Sequence, residues 1–127
     1  MKIKMFQALD FLDTYNDLKD KELKIQTAYK LNKCYEKCVE EQKFYQSKIT
    51  ELVEKYGKRD KDNQLQYNDN KSAVLIQEDK QNECNSIMNE VLNLDIDIDD
   101  KYLINIEELN IDITIDSLNK IKPFITE

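Results

Sequence analysis

The residues best suited to bind a ligand or take part in chemistry are four aspartates within positions 95–100. Carboxylates at this density could bind Ca²⁺, which prefers oxygen ligands. An EF-hand loop that began at Asp95 would need Gly at its sixth position and Glu at its twelfth, but Asp100 and Ile106 occupy those positions. The aspartates alternate with isoleucine, which instead predicts the solvent-facing side of a half-buried strand. We therefore expect no metal at these residues.

The three cysteines are the second candidate, because three thiolates could bind zinc. Cys34 and Cys38 lie on one predicted helix, and Cys84 lies on the next. If these helices are antiparallel, Cys84 lies opposite about residue 50, roughly 18 Å along the axis from Cys38. We therefore expect three buried apolar side chains rather than a metal site. Three cysteines also cannot form a closed set of disulfides, which is typical of a reducing compartment.

Catalysis by familiar residue sets is excluded by the composition. The chain contains no His, the commonest general base and metal ligand. Its single glycine, Gly57, cannot supply a Gly-rich phosphate-binding loop. A catalytic site would have to use carboxylate, Lys, Tyr or Cys groups alone. We expect a protein that is not an enzyme and needs no cofactor.

The net charge of −7 comes almost entirely from the residues beyond position 93, where nine acidic residues are accompanied by three lysines. An acidic chain repels nucleic-acid phosphates, so we expect no direct binding of nucleic acid. It could bind a basic surface on another protein. The opposing interpretation is a solvated face that protects an edge strand from aggregation. The candidate partner-binding residues are Asp95, Asp97, Asp99, Asp100, Glu107, Glu108 and Asp112.

The sequence shows no sign of a membrane segment or a secretory signal. Lys2 and Lys4 are followed by no long apolar run, and no window reaches the roughly 18 apolar residues of a membrane span. We expect a cytoplasmic protein with no membrane contact.

A long helix is predicted over residues 25–56. Apolar residues recur three and four positions apart from Ala28 to Tyr56, and Gln42 is the single polar interruption. Gly57 follows in the position where a left-handed residue commonly ends a helix. A dimeric coiled coil is the alternative, but Tyr and Cys in the seam favour a partner within the chain. Off the seam, we expect Tyr29 and Phe44 to pack in the core or against the first helix; the alternative is that they are exposed anchors for a partner.

Shorter elements are predicted on either side of this helix. Residues 1–20 show helical spacing after a strand-like Ile3, and a helix with a matching seam is predicted from residue 77 or 78 to 93. Two short runs around Asn68-Asp69-Asn70 predict a β-hairpin at about 64–76, which makes the two long helices antiparallel.

The sequence pattern of the C-terminal third predicts short strands followed by a short helix. Residues 95–99 and 103–106 would form two strands, with 99–101 as their turn, and Ile111 with Ile113 would form a third extended piece. Thr114 is placed to cap a short helix that Pro123 ends.

We predict an α+β fold that is mostly α. It comprises a long antiparallel helical hairpin with a β-hairpin at its tip, and a small acidic C-terminal sheet with a short helix. A single domain would span residues 1–127, divided into a helical region at 1–93 and an acidic region at 94–127.

Several short strings follow one another along the chain: MKIK, AYKLNK, LVEKYG, DKDN, MNEVLNLDIDID, IEEL and TIDSLNKIKPFI. In this order the chain resembles small proteins from phages and prophages of low-GC Gram-positive and related bacteria, which usually lack an assigned function. It departs from them at the turn, where Asp62-Asn63-Gln64 replaces the usual glycine. The resemblance implies a phage accessory role and supplies no catalytic residue.

Two functions fit these patterns. The first is a phage-encoded protein that binds and inhibits a host protein with a basic nucleic-acid-binding surface, as anti-CRISPR proteins do, while being a monomer or homodimer. The second is a structural or assembly protein of the phage particle that acts through its helical hairpin and self-association. A small enzyme or metal protein that uses the three cysteines is a weaker third.

Overall fold

A computed structural model of the chain describes residues 1–126 and shows an α+β fold that is mostly helical, which confirms the predicted class. The helices are α1 (Met5–Leu18), α2 (Ile25–Tyr56), α3 (Gln81–Leu92) and α4 (Ile115–Ile121). The strands are β1 (Lys2–Lys4), β2 (Asp95–Asp97), β3 (Ile104–Asn105) and β4 (Ile125–Thr126). Single 3₁₀ turns lie at Glu78–Lys80, Asp100–Tyr102, Ile106–Glu108 and Lys122–Phe124.

The chain folds into two compact units. Unit 1 comprises Met1–Lys43 and Asn93–Glu127, and unit 2 comprises Phe44–Leu92. The sequence instead grouped residues 1–93 together and placed the acidic region apart. That the whole chain is one domain stays a prediction.

In unit 1, a two-stranded antiparallel sheet joins the start of the chain to the segment that follows α3. Lys2 pairs with Asp97, Ile3 with Ile96, and Lys4 with Asp95. Both isoleucines are buried, so the charged residues of both strands point outward. The strand-like start at Ile3 is confirmed, and its partner is the Asp-Ile-Asp segment.

The predicted hairpin between residues 95–99 and 103–106 is wrong. After Asp99 the chain forms the 3₁₀ turn Asp100–Tyr102. The Asp99 carboxylate caps this turn by accepting a hydrogen bond from the backbone N–H of Lys101. β3 then pairs in parallel with β4, with Ile104 opposite Ile125. No strand forms at Ile111 and Ile113. The two predicted strands therefore belong to separate sheets and do not pair with each other.

The first helix covers the core of unit 1. Its buried residues recur three and four positions apart, as expected for one helix face: Met5, Ala8, Phe11, Thr14 and Leu18. The Phe11 ring lies 4.5 Å from the ring of Phe124, centroid to centroid. The Tyr15 ring stacks on Tyr35 of α2 at 4.1 Å. α1 therefore packs on both α4 and the first part of α2.

The buried face of α2 in unit 1 is rotated from the predicted seam. Ala28 is exposed, whereas Thr27 and Cys34 are almost fully buried with Leu31 and Cys38. The Thr27 hydroxyl donates a hydrogen bond to a Glu108 carboxylate oxygen at 3.4 Å, which allows a polar side chain at this position.

Unit 2 contains the predicted helical hairpin. Leu52 and Tyr56 of α2 pack on Cys84 of α3, with Ile87 and Met88 against them. The Tyr56 hydroxyl donates a hydrogen bond to Glu83 at 2.8 Å. α3 therefore runs back along the last turns of α2.

Three short extended segments form the tip between these helices. Single antiparallel bridges join Gly57 to Ile76, Arg59 to Leu65, and Tyr67 to Val74. The last bridge lies in the predicted hairpin, while the first two also use Gly57 and Arg59, which lie before the predicted hairpin.

Gly57 has a different role from the one predicted. Its φ is not positive, so it does not end α2 in a left-handed conformation. A Cβ at this position would lie 2.5 Å from the Val53 carbonyl oxygen and 2.8 Å from Leu65 Cδ2. Glycine is required because the tip packs against the helix end at this point.

Among the described residues, no helix combines the length and apolar composition that crossing a membrane would require.

We expect Phe11→Ala to lower the free energy of unfolding by about 3–5 kcal/mol, because it removes a fully buried ring that packs on Phe124. Phe6→Ala on the same helix is the control, because the Phe6 side chain is 42% exposed and its loss should cost only about 1 kcal/mol. Urea denaturation followed by circular dichroism measures both. Equal costs would contradict the assignment of the buried face of α1.

We expect Gly57→Ala to destabilise the protein by about 1–3 kcal/mol, because the added methyl group collides with backbone and with Leu65. Ser86→Ala, at an exposed position of α3 in the same unit, is the matched control and should be nearly neutral. A stabilising Gly57→Ala, the usual result of replacing glycine at an unstrained position, would disprove the close packing.

Candidate functional site

All seven candidate carboxylates lie in unit 1. Asp95 and Asp97 project from β2 on the side opposite the buried Ile96. Asp99 and Asp100 lie at the start of the following 3₁₀ turn. The other three are Glu107 and Glu108 in the next 3₁₀ turn, and Asp112 in the chain leading to α4.

Asp95 is paired with Lys4, which lies on the neighbouring strand β1. Lys4 Nζ lies 2.7 Å from Asp95 Oδ1, across the β1–β2 sheet. The hydrogen bond and charge of Lys4 lower the pKa of Asp95 below its usual value. Both side chains are exposed, so the pair adds little stability. It does neutralise the carboxylate locally.

Asp99 and Asp100 are also paired. The Asp99 carboxylate accepts a hydrogen bond from the Lys101 backbone N–H at 3.1 Å, which is the main reason that its pKa is lowered. Lys101 Nζ lies 3.5 Å from the other oxygen of Asp99. The amino group of Met1 lies 2.7 Å from Asp100 Oδ1.

Glu108 holds the 3₁₀ turn against α2. Lys30 Nζ contacts both of its carboxylate oxygens, at 3.2 and 3.3 Å. The Thr27 hydroxyl donates to the same group. Both charged side chains are about one-third exposed or less, so this pair is the most sheltered of the four. Glu108 is therefore a structural residue of unit 1.

Asp97, Glu107 and Asp112 remain, and we call them the unpaired carboxylates. All three are exposed, and within residues 1–126 no cation lies in ion-pair contact with them. Asp97 makes a small contribution to raising the pKa of Lys37, whose main cause is a hydrogen bond to Glu41. These three carboxylates are the part of the acidic region that is available to a partner.

The cysteines are not poised for chemistry. All three are buried, and the Cys34 thiol donates a hydrogen bond to the Tyr102 carbonyl oxygen at 3.4 Å. Burial raises the pKa of both Cys34 and Cys38 to about 12, so the thiolate nucleophile is suppressed at neutral pH. No group of three or more acidic or cysteine side chains within residues 1–126 is arranged to hold a metal ion.

Two aromatic side chains are more exposed than the sequence predicted. Tyr29 is 55% exposed and Phe44 is 44% exposed, although the sequence favoured packing for both. Tyr29 lines an open groove of about 560 Å³ with Ile25 and Tyr102, and with Lys30 and Lys101 at its rim.

The thiols give a prediction with a defined pH range. Because the folded pKa of Cys34 and Cys38 is raised from 9.0 to about 12, the folded state holds these protons more tightly than the unfolded chain does. This stabilisation is complete below pH 9.0 and is lost as the pH rises through about 12. Urea denaturation over this range should show a shallower decline for the Cys34→Ala/Cys38→Ala variant than for the wild type. Rapid modification of either thiol in the folded protein would contradict the burial.

Comparison with known proteins leaves the site to be interpreted from its own residues. No family model matches the chain, and neither the curated proteins nor the solved structures contain a significant match.

Proposed function

We propose that this is a non-enzymatic, phage-encoded protein that binds and inhibits a host protein in the host cytoplasm. The target we favour is a defence complex with a basic nucleic-acid-binding surface, so the protein would act in the manner of an anti-CRISPR protein. The observation that supports this proposal is the set of unpaired carboxylates Asp97, Glu107 and Asp112, exposed on one compact unit of a chain with net charge −7.

The ion pairs separate the acidic residues into those that are already paired within the chain and those that are free to bind a partner. Asp95, Asp99, Asp100 and Glu108 already have cations beside them, so a basic partner gains less from approaching them. Glu107 and Asp112 form no ion pair within residues 1–126. Asp97 has Lys2 opposite it in the sheet and Lys37 in its electrostatic surroundings, but it forms no ion pair with either. These three carboxylates would therefore form new ion pairs with the partner. Association driven in this way is fast at low salt and slows as salt screens the charges.

Inhibition would follow from occlusion. A basic channel that binds nucleic acid attracts carboxylates for the same electrostatic reason that it attracts phosphates. A folded acidic unit seated there excludes the nucleic acid without any chemical step. The suppressed thiols Cys34 and Cys38 fit a protein that acts by binding.

The alternative function is that of a structural or assembly protein of the phage particle. One observation favours it: unit 2 exposes Phe44, Tyr67 and Leu75. Aromatic side chains are frequent in protein interfaces, and these three belong to the helical hairpin and its tip. Self-association through unit 2 would be expected for this function.

The proposal predicts that reversing the unpaired carboxylates abolishes partner binding. Tagged wild-type protein and the Asp97→Lys/Glu107→Lys/Asp112→Lys variant are used to capture proteins from host lysate, and mass spectrometry identifies them. We expect the wild type to capture a nucleic-acid-binding complex and the variant to retain less than about a tenth of it, because like charges now face each other.

The matched control is Asp62→Lys/Asp69→Lys/Glu90→Lys, which reverses three exposed acids of unit 2 and changes the net charge by the same amount. It should capture the complex as well as the wild type does. Equal losses in both variants would show a dependence on total charge and refute the assigned site. Capture of virion proteins instead would favour the structural alternative.

A further inference from the structure

The outer edge of β2 presents main-chain hydrogen-bonding groups that point away from its only strand neighbour within residues 1–126. In an antiparallel sheet, successive residues of a strand direct these groups alternately toward the neighbouring strand and away from it. The Ile98 N–H donates to the Met1 carbonyl oxygen at 2.8 Å, so the even-numbered residues of this segment face β1. The N–H and C=O groups of Asp95 and Asp97 therefore point to the opposite side.

This outer edge faces solvent. Within residues 1–126, no hydrogen bond uses the main-chain N–H or C=O group of Asp95 or Asp97. Main-chain groups that are buried in a protein are almost always paired, and both aspartates are exposed. The other edge of the sheet differs, because Lys2 of β1 lines a groove of about 420 Å³ with Asn119 and Lys122. β2 therefore has the edge that is open to a further strand.

The side chains along this edge favour a basic partner. Asp97 lies opposite Lys2 in the sheet but forms no ion pair with it within residues 1–126. Lys37 of α2 lies in the electrostatic surroundings of Asp97, but its ammonium group is 3.0 Å from Glu41. A basic residue opposite Asp97 on an added strand would therefore gain a cross-strand ion pair, whereas an acidic residue there would be repelled.

The strand on the other side of β2 shows which sequence fits this one. β1 places Lys4 opposite Asp95, and the charged atoms of the two side chains lie 2.7 Å apart. Ile3 lies opposite Ile96, and both are buried. Lys-Ile-Lys thus matches Asp-Ile-Asp residue by residue. A strand with the same alternation of basic and apolar residues would meet the same pattern from the outer edge.

We propose that the partner adds an extended segment to the outer edge of β2 as a third, antiparallel strand, with Lys or Arg opposite Asp95 and Asp97 and an apolar residue opposite Ile96. The main-chain groups of the two aspartates bind the segment, and their carboxylates determine its sequence. This inference rests on the proposed function for the existence of a basic partner and specifies how that partner binds. A second copy is disfavoured at this edge, because two β2 strands would place aspartates opposite each other.

An NMR titration of the ¹⁵N-labelled full-length protein with the peptide acetyl-Lys-Ile-Lys-Ile-Lys-amide tests the strand addition. We expect the largest amide shifts at Asp95 and Asp97, and slower hydrogen exchange of both amides. The amide of Ile96, which faces β1, should stay protected throughout. No binding of this peptide, or loss of the protection at Ile96 because the peptide displaces β1, would overturn the proposal.

Two N-methylated peptides with the same side chains and charges are the matched controls for the main-chain bonds. Methylation of the central lysine nitrogen removes a hydrogen bond to β2 and should weaken binding by about tenfold. Methylation of the preceding isoleucine nitrogen, which points away from β2 in this register, should change the affinity by less than about threefold. Equal affinities, or the reverse order, would overturn the antiparallel strand addition.

The contribution of the carboxylate is measured with a variant of the protein. Asp97→Lys should weaken binding of the unmethylated peptide by about tenfold, because like charges then lie opposite each other. Asp69→Lys, at an exposed position of unit 2, makes the same change of net charge and should bind as the wild type does. Equal losses in both variants would overturn the assigned edge.

The peptide titration and the lysate capture fail independently. Peptide binding at β2 without capture of a nucleic-acid-binding complex would refute the proposed function and leave the strand addition standing. Capture of that complex without peptide binding at β2 would refute the strand addition alone.

Discussion

The antiparallel pairing of residues 2–4 with residues 95–97 is the interaction on which unit 1 depends. It places Lys-Ile-Lys against Asp-Ile-Asp, so that Ile3 and Ile96 enter the core while opposite charges face each other outside. The pairing brings the start of α1 beside the chain that follows α3, where the Met5 N–H donates to the Leu94 carbonyl oxygen at 2.9 Å. α1 is thereby positioned to cover Phe124 and the first part of α2.

The same strand pairing reduces the number of acidic residues that are free to bind a partner. In the sequence, Asp95 is one of a dense group of aspartates, but in the fold it belongs to an ion pair with Lys4. Together with the pairs at Asp99, Asp100 and Glu108, this leaves the charge concentrated on Asp97, Glu107 and Asp112. Four of the seven candidate carboxylates are therefore paired within the chain, and three are available for binding.

Unit 2 is stabilised by a different constraint, the close approach of its tip to the end of α2. The absent side chain of Gly57 allows Leu65 and Val74 to approach the helix terminus, and Tyr56 joins α3 through Glu83. Asn68 stabilises the turn by accepting hydrogen bonds from the backbone N–H groups of Ser72 and Ala73. Unit 2 therefore combines an apolar helical pair with a polar, tightly turned tip.

The sequence by itself determined the helices, because helical periodicity and capping act over a few residues. The bounds of α2 and the Thr114 cap of α4 were predictable for this reason. The alternation at 95–97 likewise predicted a strand. Only the tertiary structure decided which segment this strand pairs with. The pairing joins residues more than ninety positions apart, and segments nearer in the sequence could have paired with the strand instead of Lys-Ile-Lys. The tertiary structure also decided the pairing of Asp95 with Lys4, the exposure of Ala28 and the exposure of Tyr29. These depend on contacts between distant segments, which the local sequence pattern does not encode.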